Sequence, residues 1–230
     1  MRLYAYKDHE LFNHLEDTAT EALNALNRLG YNVICNRFRK LGLEIGSEEL
    51  KEIVRLSALL HDIGKAADKY QSDRELESFY LHEIPSAVIA KRVLEESIQR
   101  EEQRDLIVIT VLQHMNSMRD WLSNYSSKDI ERYNWRFARC NYELLNFLKN
   151  ITKVDNINIK LEVSGHDAIE LINEYKEKSR DRNRGWLKLY NFILALISVG
   201  DNIDAYKARG DSLSPNRRWF IKELMMLEEY

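Results

Sequence analysis

Helix breakers are scarce in this chain, with 2 Pro and 8 Gly among 230 residues. Few positions stop a helix, and apolar residues recur mainly at three- and four-residue intervals, so an all-α fold is expected. Cysteine is nearly absent too. Cys35 and Cys140 are too few for a disulfide framework and lack metal-type spacing, which excludes the small stapled secreted class and fits a reducing cytoplasm. Charge is balanced: 34 Lys and Arg against 37 Asp and Glu give a net −3 and a pI near 6.1. Without a global basic footprint, a nucleic-acid partner would have to be held by local patches or through a bound cation. Long apolar runs are missing as well. The greasiest stretch, Trp186 to Val199, falls short of the ~20 residues that a bilayer span needs and contains Lys188. It reads as a buried helix, and the opening residues MRLYAYKDHE carry no apolar segment of signal-peptide type. Neither export nor a membrane partner is expected.

What is present is the composition of a chain that folds: 44% hydrophobic, 31% charged and 4 Trp. A chain of this size can bury a core without staples, and no repeat or linker divides it, so one domain over 1–230 is expected. Leu15, Ala19, Ala22, Leu26 and Leu29 form one stripe of an amphipathic helix from Leu11 to Leu29, closed by Gly30. Ser47, followed by Glu48 and Glu49, predicts a capped helix reaching to about Asp62. A third spans 85 to 103, with Pro85 in its first turn. The run LIVITVL at 106–112 is β-branched enough for a strand, but its helical neighbours favour a buried helix. Ser127 predicts a helix through about Asn150, and Thr152 to Ser164 alternates as a short strand or extended loop. Helices over 167–180, 184–204 and 217–229 complete the expectation, with Lys176 to Arg184 the best hinge candidate.

Two His-Asp dipeptides occur where a chain of this composition has roughly 0.4 by chance, so context must separate them. His166-Asp167 follows Ser-Gly at a helix start, where a carboxylate complements the macrodipole. His61-Asp62, within "LSALLHDIGKAADKY", ends an apolar helix, where the dipole is negative and a cation is favoured. Adjacent helical residues point about 100° apart, so a shared ion must lie beside the helix end and draw ligands from other helices. Candidates are His14 in the first amphipathic helix, His82 ahead of Pro85, His114 after the 106–112 run, and Asp201 after "LALISVG". Each taken alone is more often a packing or capping residue. Together they mix imidazole and carboxylate in the way that suits borderline transition metals.

The order His14, His61-Asp62 in "HDIGK", His82, His114 and Asp201 resembles the HD metal-dependent phosphohydrolase superfamily, an all-helical bundle with its metal site assembled from several helices. Within it, "HDIGKAADKYQ", "HEIPSA", "HLEDTA" and "VGDNIDA" look like the stand-alone CRISPR-associated HD nuclease of type I systems. That resemblance implies a nuclease cutting single-stranded DNA or RNA, partnered by a separate helicase and a surveillance complex. It also implies two divalent ions. His14, His61, Asp62 and Asp201 would hold one, and Asp62 would bridge to a second on His82 and His114. Manganese, nickel or cobalt suits such imidazole-rich coordination better than magnesium, which prefers oxygen shells. The family often has a second His where this chain has Met115, a poor ligand for those ions, leaving a water or a residue such as Asn116 to complete that position.

Lys65, three residues after Asp62, would neutralise phosphate charge or orient water, or else serve as a simple helix C-terminal cation. In "ERYNWRFAR", Arg132, Arg136 and Arg139 interleave with Tyr133, Trp135 and Phe137, a pattern that can hold single-stranded nucleic acid. An amphipathic helix with buried aromatics and solvated arginines explains the same spacing, as solvation explains "KEKSRDRNR" and Arg217-Arg218. Two alternatives stay open: an HD phosphohydrolase acting on a small nucleotide or phosphate ester, and a non-catalytic HD-like scaffold.

Overall fold

The computed structural model describes residues 2–6, 9–71, 79–115, 130–209, 215, 216, 219, 221 and 222. Helix α1 (Leu11–Leu29) follows a short antiparallel hairpin, β1 (Tyr4–Tyr6) and β2 (His9–Glu10). Next come α2 (Tyr31–Lys40), α3 (Ser47–Leu60), a 3-10 turn (Ile63–Ala66), α4 (Asp68–Gln71), α5 (Glu83–Ser97) and α6 (Glu101–Gln113). Strand β3 (Asn134–Trp135) precedes α7 (Asn141–Thr152), and β4 (Val163–Ser164) precedes α8 (Gly165–Arg180). A 3-10 segment (Arg182–Leu189) leads into α9 (Tyr190–Arg209).

An apolar run with no polar stripe is stable only where every side is covered. Residues Asp105 to Gln113 of α6 are all buried, with α3, α5 and α9 packed around them. LIVITVL is therefore the central helix. Around it, α1 lies against α9 and α3 through Leu15, Ala19, Ala22 and Leu26; Leu29, the last residue of the expected stripe, is instead exposed. Among the described residues the main apolar core runs from Leu3 to Ile197, and a small second cluster joins Ile203 to Ile221. Where α9 packs on α1 stands Gly200, at which an added Cβ would meet the Thr18 carbonyl oxygen at 2.4 Å. The α9 carboxylates reach α1 only because that position has no side chain.

Several boundaries differ from the sequence expectation. Gly46, not Ser47, caps α3, its N–H donating to Glu49 Oε2 at 2.8 Å. The helix expected over 85–103 breaks at an extended Ile98, and the freed carbonyls of Ile98 and Gln99 accept from the Arg104 guanidinium. The expected 184–204 helix is 3-10 as far as Leu189, because non-helical Arg184 is drawn sideways to Asp105 Oδ2 at 2.6 Å. Asp105, buried, also accepts from Lys178 Nζ at 2.6 Å and Tyr175 Oη at 3.0 Å. The 176–184 segment is thus pinned to α6 rather than hinged. The N-terminal hairpin and α2 were not anticipated.

The largest correction falls on 131–139. No helix forms there: Trp135 and Phe137 point into the core while Arg136 faces solvent, the period of two that marks a strand, and β3 pairs antiparallel with β4. The alternating stretch from Thr152 resolves into strand only at Val163–Ser164. Ser127, Asn116 and Arg217-Arg218 lie outside the described residues, as does most of the 217–229 helix.

Candidate metal centre

Helix ends build the site. His61 terminates α3 and His114 terminates α6, so two negative dipole ends meet here, while His82 stands at the start of α5. At the C-terminal ends carbonyls lack helical partners, and two imidazoles each use one: His61 Nδ1 donates to the Ala58 oxygen (2.7 Å) and His114 Nδ1 to that of Val111 (2.6 Å). His82 Nδ1 donates instead to the Phe79 oxygen in the turn that leads into α5, again three residues back. Leu81 takes a left-handed φ of 65° to turn His82 inward. Gly64 admits the first turn of α5, since an added Cβ would lie 2.1 Å from the His82 oxygen, and its N–H donates to Ser86 Oγ at 2.8 Å.

With Nδ1 hydrogen-bonded in this way, the Nε2 atoms of His61, His82 and His114 are directed at Asp62. Asp62 Oδ1 lies 2.7 Å from His82 Nε2 and 3.1 Å from His114 Nε2. Its Oδ2 lies 3.1 Å from His14 Nε2, 3.3 Å from His61 Nε2 and 2.5 Å from Lys65 Nζ. Asp201 Oδ1 is 3.6 Å from His14 Nε2. Two groups result that share Asp62: His14, His61, Asp62 and Asp201, and Asp62, His82 and His114, each offering atoms within 4.8 Å of one another. All six sequence-derived ligand candidates are brought together, and Lys65, buried, stands with them.

Whether cations fit is a matter of unmet demand. His61 Nε2 is buried without a hydrogen-bond partner among the described residues. His82 Nε2 and His114 Nε2 face each other at 3.1 Å, two lone pairs that only a proton or a cation between them reconciles. Both observations fit divalent ions. Burial works against ionising Asp62, but His61, Lys65 and His82 outweigh it and hold the carboxyl well below its usual range. Asp201 is likewise lowered against burial by His14 and His61. His14 is raised to about 9, its burial outweighed by hydrogen bonds to Asp204 and Asp62.

The second dipeptide behaves as a cap. Asp167 Oδ2 accepts from the Ser164 N–H (2.7 Å) and hydroxyl (2.6 Å) at the start of α8. Arg132, Arg136 and Arg139 are exposed, and the segment bearing the last two is tied to the loop after the His-Asp pair. Asp68 donates its N–H to the Arg136 oxygen (2.8 Å) and accepts from Ala138 N and Arg139 N (both 3.1 Å). Trp135 and Phe137 are core residues rather than stacking platforms, and Tyr133 is half-buried against Trp135. Met115 sits half-buried in the turn after His114. Sequence reasoning missed Asp204, whose Oδ2 accepts from His14 Nδ1 at 2.6 Å. Its spacing of three from Asp201 on one helix was the available signal. Nothing in the sequence marked Tyr6 or His9, which reach these carboxylates from the hairpin.

The HD domain family description matches residues 12–134, just over half of the chain, and the chain belongs to that family. HD domains bind divalent metals, and the His/Asp cluster here could hold them. More particularly, the chain is 28% identical over 221 residues to the CRISPR-associated endonuclease Cas3-HD of Saccharolobus solfataricus, covering 90% of each. It is also similar in fold to the CRISPR-associated Cas3 HD domain protein of Methanocaldococcus jannaschii, with a TM-score of 0.62, 19% identity, and 87% of this chain and 99% of that one covered. No helix among the described residues is long and apolar enough to cross a membrane.

Proposed function

We propose that this protein is a divalent-metal-dependent nuclease that hydrolyses phosphodiester bonds in single-stranded DNA or RNA as the cutting component of CRISPR type I interference. The observation that carries the reading is the division of Asp62, with Oδ1 toward His82 and His114 and Oδ2 toward His14 and His61. One carboxylate serving two imidazole groups is what a paired-ion hydrolase needs. His14, His61, Asp62 and Asp201 would hold one ion, and Asp62, His82 and His114 the second. Manganese, nickel or cobalt is favoured by four imidazoles over magnesium. Such ions supply a nucleophilic water at neutral pH and charge neutralisation at the phosphate.

The remaining work falls to the chain. Lys65 Nζ, buried and held between the rings of Tyr6 (4.9 Å) and Phe79 (5.1 Å), would meet the charge that grows on the scissile phosphate. Arg132, Arg136 and Arg139 would track the strand's backbone, two of them on a segment tied to Asp68. Similarity to Cas3-HD over nine-tenths of both chains supports a separate helicase and a surveillance complex as partners.

The test is a cleavage assay on purified protein with single-stranded DNA, a panel of divalent ions and a chelator control. Metal-dependent cutting that Asp62→Ala reduces to background is expected. Undiminished cutting by the variant overturns the reading, and rapid turnover of small phosphate esters without DNA cleavage would reassign the substrate.

A further inference from the structure

The family match spans residues 12–134, yet the cluster it contains is finished by residues on either side of that range. Asp201 and Asp204 come from α9, and their partners come from the hairpin ahead of α1. Tyr6 Oη donates to Asp201 Oδ1 at 3.0 Å across a sequence separation of 195. His9 Nε2 lies 3.2 Å from both oxygens of Asp204, and Asp204 Oδ2 in turn accepts from His14 Nδ1 at 2.6 Å. The Tyr6 ring stacks with His9 and meets His14 edge-on at 5.1 Å between centroids.

His9, His14 and Asp204 could themselves be taken for a metal group. The 2.6 Å separation of His14 and Asp204 is instead that of a charge-assisted hydrogen bond, and the other nitrogen of His14 already faces Asp62. A carboxylate on the far nitrogen of a ligating imidazole fixes its tautomer, its orientation and its basicity. The Tyr6 hydroxyl does the same for Asp201, occupying one lone pair of Oδ1 and setting the rotation of the carboxylate that lies 3.6 Å from His14 Nε2.

We infer that Tyr6, His9 and Asp204 are positioning residues, and that the N-terminal hairpin, whose described residues lie outside the His14–His61–Asp62–Asp201 group, sets the affinity of that group for its ion. The inference rests on the reading of the cluster as a divalent-metal site. It separates the two groups, because nothing from the hairpin touches His82 or His114 among the described contacts.

The experiment is a Co2+ titration of chelator-stripped protein, followed by visible absorption and calorimetry, on the parent chain and on Tyr6→Phe, Asp204→Asn, His9→Leu and His9→Gln. Outer-sphere partners typically contribute 10–100-fold in affinity. Asp204→Asn should weaken one binding event by about that factor, with an altered cobalt spectrum, and leave the other within about twofold. Tyr6→Phe should shift the same event in the same direction, and His9→Gln, which keeps an N–H for Asp204, should recover what His9→Leu loses. Parent-like binding by both Tyr6→Phe and Asp204→Asn overturns the inference, as does equal weakening of both events. If Asp204→Asn does not fold, Tyr6→Phe decides, since it removes one oxygen and keeps the ring. A parent chain that takes up no Co2+ overturns the metal-site reading and this inference with it.

Discussion

Asp62 has its two oxygens committed to different imidazoles, and Lys65 stands on the Oδ2 side at 2.5 Å. With cations bound, Asp62 would need its lysine partner less, and the ammonium would become available to substrate. Lys65→Gln should therefore lower kcat by about 100-fold, the scale of losing one charged donor at a transition state, while metal content stays at the parent value. Metal analysis beside steady-state kinetics checks this, and lost metal would show that Lys65 serves Asp62 instead. His14 makes a prediction in pH. Without bound metal its pKa is raised from 6.5 to about 9, so the stability it adds is fully present below about 6.5 and is lost as pH rises through 9. Thermal midpoints of the stripped protein should fall over that window, and His14→Gln should flatten the fall. The low carboxyl of Asp62 acts in the opposite sense, but only at acid pH. A metal must displace the His14 proton, so Mn2+ affinity should rise with pH over the same window, by at most tenfold per unit, as calorimetry would record.

Among the elements, the ends of helices matter more than their faces. The carbonyls of Ala58 and Val111, left over where α3 and α6 stop, become the acceptors that orient His61 and His114. A histidine at such an end is legible in sequence as a cation-favouring position, and "LSALLHD" and "VLQH" were legible in that way. The start of α5 was less so, because His82 depends on Leu81 in a left-handed conformation and on Gly64 giving α5 room. Gly64→Ala should push the His82 backbone away, with a destabilisation of about 1–3 kcal/mol and a selective loss of the second ion. Denaturant unfolding and metal stoichiometry together test it, and two full equivalents of ion in the variant would contradict it. In sequence the 131–139 stretch reads as helix as readily as strand, because its aromatics fit two periods over nine residues. Only the presence of β4 as a pairing partner selects the strand.

For the molecule as a whole, a net charge of −3 makes any attraction for nucleic acid local. If Arg132, Arg136 and Arg139 contact phosphates, replacing all three with Ala should reduce the slope of log affinity against log salt by about 2, from −0.7 per phosphate contact on single strands. Fluorescence anisotropy on a single-stranded oligonucleotide, at two or more salt concentrations, measures the slope, and an unchanged value would remove these residues from the path. The sequence by itself determined the helical class, the buried character of LIVITVL and the candidate set from His14 to Asp201, because periodicity, breakers and residue chemistry are local properties. Only the tertiary structure decided which oxygen of Asp62 serves which imidazole, and only it brought Tyr6 and His9 to carboxylates 195 positions away. Contacts between chain ends depend on how α1 and α9 cross at Gly200, and no local pattern records a crossing.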